Sequence, residues 1–204
     1  FPWLARNVLN DSLTPKKMQA LRLVGVPYSD ADIAGAGAAV QGKTEMDALI
    51  AEFTVGETYF FRHREQFDML RRTAIPQLLE RRRAERALRI WSAGCATGAE
   101  PYSVSILLRL EMAVEIAGWE ISILGTDINR AFLARAEEGV FDRWALRETP
   151  QHVRDTCFDQ RGKYWVIRPE YRRGVRFRYH NLVSDAAPAA PGTLAGFDLV
   201  LCRN

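Results

Sequence analysis

An α/β fold with a mostly parallel sheet follows from three observations. The run Arg89-Ile-Trp-Ser is strand-like and leads into a glycine-bearing loop and a helix start. A second strand-like run, Glu120 to Thr126, ends in an acid, Asp127. Two further runs, 175–179 and 197–202, come later in the chain, with helical stretches between the four. Short apolar runs alternating with helices are what a parallel sheet requires.

The front of the chain reads differently. Lys16 to Leu23 suits a short helix ended by Gly25 and Pro27, and Ser29 or Asp30 suits the cap of a second helix over Ala31 to Val40. A third run, Thr44 to Ala51, sets Met46, Leu49 and Ile50 on one side. Residues 52–88 read as a helical lead-in, with Leu70, Leu78 and Leu79 packing around a break at Pro76. Arg81-Arg-Arg83 reads as a solvated helix end, or else as attraction to an acidic partner.

The core, 89–204, begins with Trp91-Ser-Ala-Gly-Cys-Ala-Thr-Gly-Ala-Glu-Pro-Tyr-Ser103. Gly94 and Gly98 allow positive φ and a close backbone approach to a ligand. Pro101 suits a first helical turn, and Val104, Ile106, Leu107, Leu108 and Leu110 give that helix an apolar side. A strand, glycine loop and helix in that order suit a nucleotide-like ligand; a plain βα turn is the bland alternative. Asp127 at a strand tip can accept two ribose hydroxyls, or cap the helix Arg130 to Glu138. Glu100 suits the positive end of its helix. Lys163 to Arg168, then 169–174, then Val175 to Tyr179 reads as a hairpin within a small insertion at about 158–179.

Composition bounds the function. The 204 residues are 48% hydrophobic and 26% charged with a net charge of +3, as in a soluble globular protein. That mild charge, without an RNA or DNA motif, gives no reason to expect nucleic acid. No apolar stretch is long enough to span a bilayer. Three scattered cysteines form no CxxC pair, which argues against a disulfide framework and a metal site and fits a cytoplasmic setting. The chain opens with Phe1 and is expected to be a fragment or processed form.

Four segments in order, Thr54 to Arg62, Trp91 to Ser103, Leu124 to Asn129 and Phe197 to Asn204, closely resemble the CheR family of chemotaxis-receptor methyltransferases. The resemblance runs from about Glu52 to the last residue. It implies a Rossmann-like methyltransferase sheet, C-terminally incomplete, with a small antiparallel insertion. It implies S-adenosylmethionine as cofactor, S-adenosylhomocysteine as product, and receptor glutamates as acceptors. By the same resemblance Thr58 and Arg62 contact the cofactor, and Arg62 pairs with its carboxylate or with the substrate's. Glu100 holds the amino or sulfonium end beside Gly94, Asp127 the ribose, Asn181 and Leu182 the adenine, and Asn204 lines the pocket. His180 is expected to pack or face solvent. The family often has Asn where Gly56 stands. The short link Phe158 to Gly162 implies an enzyme that does not bind a receptor tail.

Phe1-Pro-Trp-Leu, Ala20 to Ile33 and Gly42 to Ala51 are instead similar to the C-terminal tail of the mono-haem c subunit of a haem–copper cytochrome oxidase. That family's haem attachment is missing, because no Cys precedes Cys95 and no His precedes His63. No haem is expected, and a chimeric join near residue 51 is. The leading expectation is a protein-glutamate O-methyltransferase. The alternatives are a catalytically inactive cofactor- or receptor-binding module, and an electron-transfer subunit, against which the missing haem motif weighs.

Overall fold

The computed structural model describes residues 50–54, 56–183, 185, 187–188 and 196–202. The chain divides into two compact units, Phe1–Val55 and Gly56–Asn204. In the first, residues 50–53 are helical, and the Thr54 hydroxyl donates to the Ile50 carbonyl at 2.7 Å. The helices expected at 16–23 and 31–40, and most of the one at 44–51, lie outside the described residues.

The second unit is built on a four-stranded sheet, β1 (Ala87–Ala93), β2 (Glu120–Asp127), β6 (Val175–Tyr179) and β7 (Leu199–Cys202). Its order is β6-β2-β1-β7, and every neighbouring pair is parallel. The four strands expected from sequence are these four. Leu88, Ile90, Ile121 and Ile123 point to one face and are nearly fully buried. Against them lies α3 (Ala99–Ile106), buried along its whole length, followed by a π-helical turn, Leu107–Glu111. Each such aliphatic side chain contributes about 1.5–3 kcal/mol on burial. The opposite face carries a smaller cluster of Trp91, Ala93 and Leu124, with Phe197 packed on it.

The lead-in helix departs from expectation at Pro76. It does not break there: α1 (Arg64–Met69) runs into a π turn, Leu70–Ala74, and on into α2 (Ile75–Arg81). Proline lacks an N–H and crowds the carbonyl four residues back; a wider π turn accommodates both without ending the helix. Arg82 also departs from the expected solvated end. Its Nη2 lies 2.6 Å from Oδ1 of Asp198, whose side chain is fully buried. Asp198 in turn accepts the Arg89 amide at 2.8 Å.

The expected hairpin between 163–168 and 175–179 does not form. A three-stranded antiparallel sheet has the order β3-β5-β4, where β3 is Val140–Asp142, β4 is Phe158–Arg161 and β5 is Tyr164–Ile167. β5 therefore turns back on β4 through Gly162 and Lys163. The short helix α6 (Pro169–Arg172) then redirects the chain, and β6 joins β2 with Ile123 opposite Val175. Two further helices complete the unit, α4 (Arg130–Glu138) after β2 and α5 (Gln151–Cys157) before β4.

Candidate functional site

The strand order creates the site. β2 lies on one side of β1 and β7 on the other, so the chain reverses its winding at β1. In open parallel sheets, ligands bind in the crevice that such a reversal leaves beyond the C-terminal ends of the strands. The glycine loop of residues 94–98 leaves β1 at that end.

The loop is stitched to β2. The amides of Gly94 and Cys95 both donate to the Thr126 carbonyl, at 2.8 and 2.9 Å. Gly94, Ala96 and Gly98 all have positive φ, of 72°, 47° and 86°. Gly98 has no room for a side chain, since a Cβ there would lie 2.8 Å from the Cβ of Ala136. Gly94 is exposed at the loop's crest.

Asp127 is half-buried at the tip of β2. Its Oδ2 accepts the Ala96 amide and its Oδ1 the Asn129 amide, each at 2.8 Å. The alternative of Asp127 as cap of the following helix is corrected: Asn129 is the N-cap, accepting the amides of Ala131 and Phe132. Asp127 thus fixes the glycine loop on one side and the α4 entry on the other, and each oxygen keeps lone-pair capacity. Its own carbonyl accepts the amide of His180 at 3.1 Å. This tie brings Asn181 and Leu182 to the same strand end. Asn181 Oδ1 accepts the Val183 amide at 3.0 Å, and Leu182 is half-exposed. His180 packs, as expected: it is buried, edge-on to Trp91 with ring centroids 5.6 Å apart.

Glu100 lies in the first turn of α3, buried, and accepts the Ser92 hydroxyl at 2.7 Å. Burial pushes the Cys95 thiol well above its ordinary range, and the Asp127 and Glu100 carboxylates push it further. Cys95 is therefore a packed, un-ionised side chain.

The segment Gly56 to Arg62 runs along the same end. The Phe61 amide donates to Ser103 Oγ in α3 at 3.0 Å. A Cβ on Gly56 would lie 2.4 Å from the Phe132 ring in α4, so that ring occupies the space a family Asn would need. Phe60 anchors the segment, edge-on to Phe141 and Phe158. Thr58 and Arg62 are half-buried, and Arg62 Nη1 donates to the Glu57 carbonyl at 2.7 Å.

Gly94, Glu100, Asp127, Asn181, Leu182, Thr58 and Arg62 therefore converge on one end of the sheet. Asn204 lies outside the described residues. Sequence reasoning missed Ser92, which partners Glu100, and Asn129, whose signal was an Asn directly before the helix. The exposed loop crest, the partly free Asp127 carboxylate and the buried Glu100 fit an adenosyl ligand with a ribose diol and a charged end. Among the described residues, no group of three or more His, Cys, Asp or Glu is arranged to hold a metal ion. No helix of the described residues is long and apolar enough to cross a membrane.

Comparison with known proteins shows the family. The family model described as CheR methyltransferase, SAM binding domain, matches residues 56–204. A chemotaxis protein methyltransferase of Listeria innocua is 36% identical over 159 residues, covering 78% of this chain and 56% of that protein. One from Borreliella burgdorferi is 30% identical over 166 residues, covering 80% of this chain and 57% of that protein. A probable biofilm formation methyltransferase of Pseudomonas aeruginosa is 37% identical over 163 residues, 78% of this chain and 36% of that protein. The chain spans a little over half the length of the first two relatives. Residues 1–51 precede the span that the family model matches. The crevice, its glycine loop and the match over 56–204 lead to one conclusion: the chain belongs to the CheR methyltransferase family and carries its S-adenosylmethionine-binding domain.

Proposed function

We propose that this chain is the cofactor-binding part of a protein-glutamate O-methyltransferase that methylates glutamate side chains of methyl-accepting chemotaxis receptors. The observation that carries this reading is the convergence of the Asp127-held glycine loop with the Gly56 to Arg62 segment at one end of the sheet. S-adenosylmethionine, when bound, supplies a methyl group on a positively charged sulfur, and S-adenosylhomocysteine is what remains. Asp127 would accept the ribose hydroxyls. Asn181 would meet the base edge and Leu182 its face. Glu100, Thr58 and Gly94 would line the charged end, and Asn204 would extend the pocket wall.

Arg62 is the residue assigned to the acceptor side. Its guanidinium fork suits a carboxylate, whether the cofactor's or the acceptor's. The acceptor glutamate is already ionised near neutral pH, so the chain need supply no general base. Its work is to align the carboxylate and exclude water. The three free cysteines fit a reducing compartment, and the cytoplasm is the assigned location. The two-residue β4–β5 turn, 162–163, supports tail-independent receptor recognition.

The test is transfer of labelled methyl from S-adenosylmethionine to a purified receptor cytoplasmic fragment. Base-labile label, released as methanol, identifies glutamate methyl ester. Tight S-adenosylhomocysteine binding with no ester formed on any receptor fragment would instead identify an inactive binding module.

A further inference from the structure

Trp144 is not among the residues assigned to the cofactor, and it is held out into water. The residue is 64% exposed, while Leu146 two residues on is fully buried. The exposure is not slack in the loop. The Phe60 amide donates to the Ala145 carbonyl at 2.9 Å, and the Ala145 amide donates to Asp142 Oδ1 at 2.8 Å. Arg147 then fixes the ring: its Cζ lies 4.1 Å over Trp144 and 3.6 Å over Tyr59. Arg147 Nη1 also donates to the Trp144 carbonyl at 3.0 Å, and Nη2 reaches Glu57 Oε1 at 3.4 Å.

This cluster adjoins the acceptor-side arginine. Arg62 donates to the carbonyl of the same Glu57, and its Cζ lies 5.8 Å over the same Tyr59 ring. Two guanidinium groups therefore share one ring, and both bond to Glu57, Arg147 through its carboxylate and Arg62 through its backbone carbonyl; the Glu57 side chain is 60% exposed. An incoming carboxylate is attracted to such a pair. A large aromatic ring, held rigid and left half in water, is the usual form of a protein-binding anchor.

We propose that Tyr59, Trp144 and Arg147 form a docking element for the acidic receptor segment that carries the acceptor glutamate. Trp144 receives the apolar flank of that segment, and Arg147 holds the ring and draws the segment's carboxylates toward Arg62. The proposal rests on the methyltransferase reading, because the partner's acidity is inferred from its acceptor group.

The test uses the full-length protein, a fluorescently labelled receptor cytoplasmic fragment, and S-adenosylhomocysteine as a separate probe. Trp144→Ala is expected to weaken fragment binding by about tenfold, the scale of one lost stacking anchor, and to raise KM while kcat stays within about twofold. Trp144→Phe is expected to recover most of that loss, and Arg147→Lys is not, because a lysine cannot stack as a plane between two rings. S-adenosylhomocysteine affinity and melting temperature should be unchanged in Trp144→Ala. Unchanged fragment binding, or a wild type that does not bind the fragment, overturns the proposal. So does a loss of S-adenosylhomocysteine affinity, which would assign the ring to the cofactor. Fragment binding that Trp144→Ala weakens, with no ester formed by the wild type, would defeat the methyltransferase reading while supporting the docking element.

Discussion

The carboxylate of Asp127 accepts the backbone amide of Ala96 at 2.8 Å, so the acid that ends β2 holds the loop that leaves β1. Asp127→Ala therefore removes a loop support as well as the group assigned to ribose. Two charge-assisted hydrogen bonds are lost, at about 1.5–3 kcal/mol each. The variant should melt at lower temperature and bind S-adenosylhomocysteine at least about tenfold more weakly. Thermal melting and calorimetric titration read the two effects separately.

Gly98 carries a second constraint. Its φ is 86°, and a methyl group there would lie 2.8 Å from the Ala136 Cβ, so the position has no tolerance for a side chain. Gly98→Ala is expected to cost more than about 1 kcal/mol of stability and to impair cofactor binding. Denaturant unfolding compared with an exposed control, Gly162→Ala, checks this. Nothing lies within 4 Å of a Cβ at Gly162, so the control reports the effect of positive φ (62°) alone.

The pair of Arg82 and Asp198 ties the end of α2 to the start of β7. Arg82→Ala leaves a fully buried carboxylate without its cation, an arrangement that costs about 3–5 kcal/mol in buried pairs. Arg82 is itself 37% exposed, so screening reduces the figure to the lower end or below. Asp198→Asn, which keeps an oxygen to accept the Arg89 amide, should cost less than Arg82→Ala. Urea midpoints at fixed pH order the two.

Alkaline stability follows from the thiols. Burial pushes Cys157 from its ordinary 9.0 up to about 11, and Tyr171, from its ordinary 10.0, up to about 12. A raised value means the folded state keeps the proton that the unfolded state releases. The contribution is full below about pH 9 and is lost as pH rises through about 11. Urea unfolding from pH 8 to 11 should show stability falling over this window, with a shallower fall in Cys157→Ala. In the native chain at pH 8, a thiol reagent should modify exposed Cys202 quickly and reach buried Cys95 and Cys157 only on unfolding.

The parts of the site that the sequence made legible are local in the chain. The glycine loop, Asp127 and the helix beginning at Ala99 each depend on residues within a turn or two, where backbone sterics and dipoles act. The four sheet strands were legible for the same reason. What could not be read depends on choices among distant partners. β5 has strand-like neighbours on both sides, and nothing local says that it pairs with β4 while β6 goes to β2. Burial of Val175 and Phe177 against the main core decides it. Pro76 signals a helix break by its own chemistry, yet packing of Leu70, Ile75 and Leu79 keeps the helix continuous through a π turn. Arg82 with Asp198, and Arg147 with Tyr59, join residues far apart in the chain, and neither pairing has a sequence signal.

Whether the crevice at the end of β1 and β2 holds the cofactor is decided by calorimetric titration with S-adenosylhomocysteine, beside the Asp127→Ala variant. One-site binding is expected of the wild type. In a variant shown by circular dichroism to remain folded, that binding should be lost or weakened at least about tenfold. A folded wild-type chain that binds no S-adenosylhomocysteine, or a folded variant that binds as tightly as wild type, would contradict the assignment of the crevice.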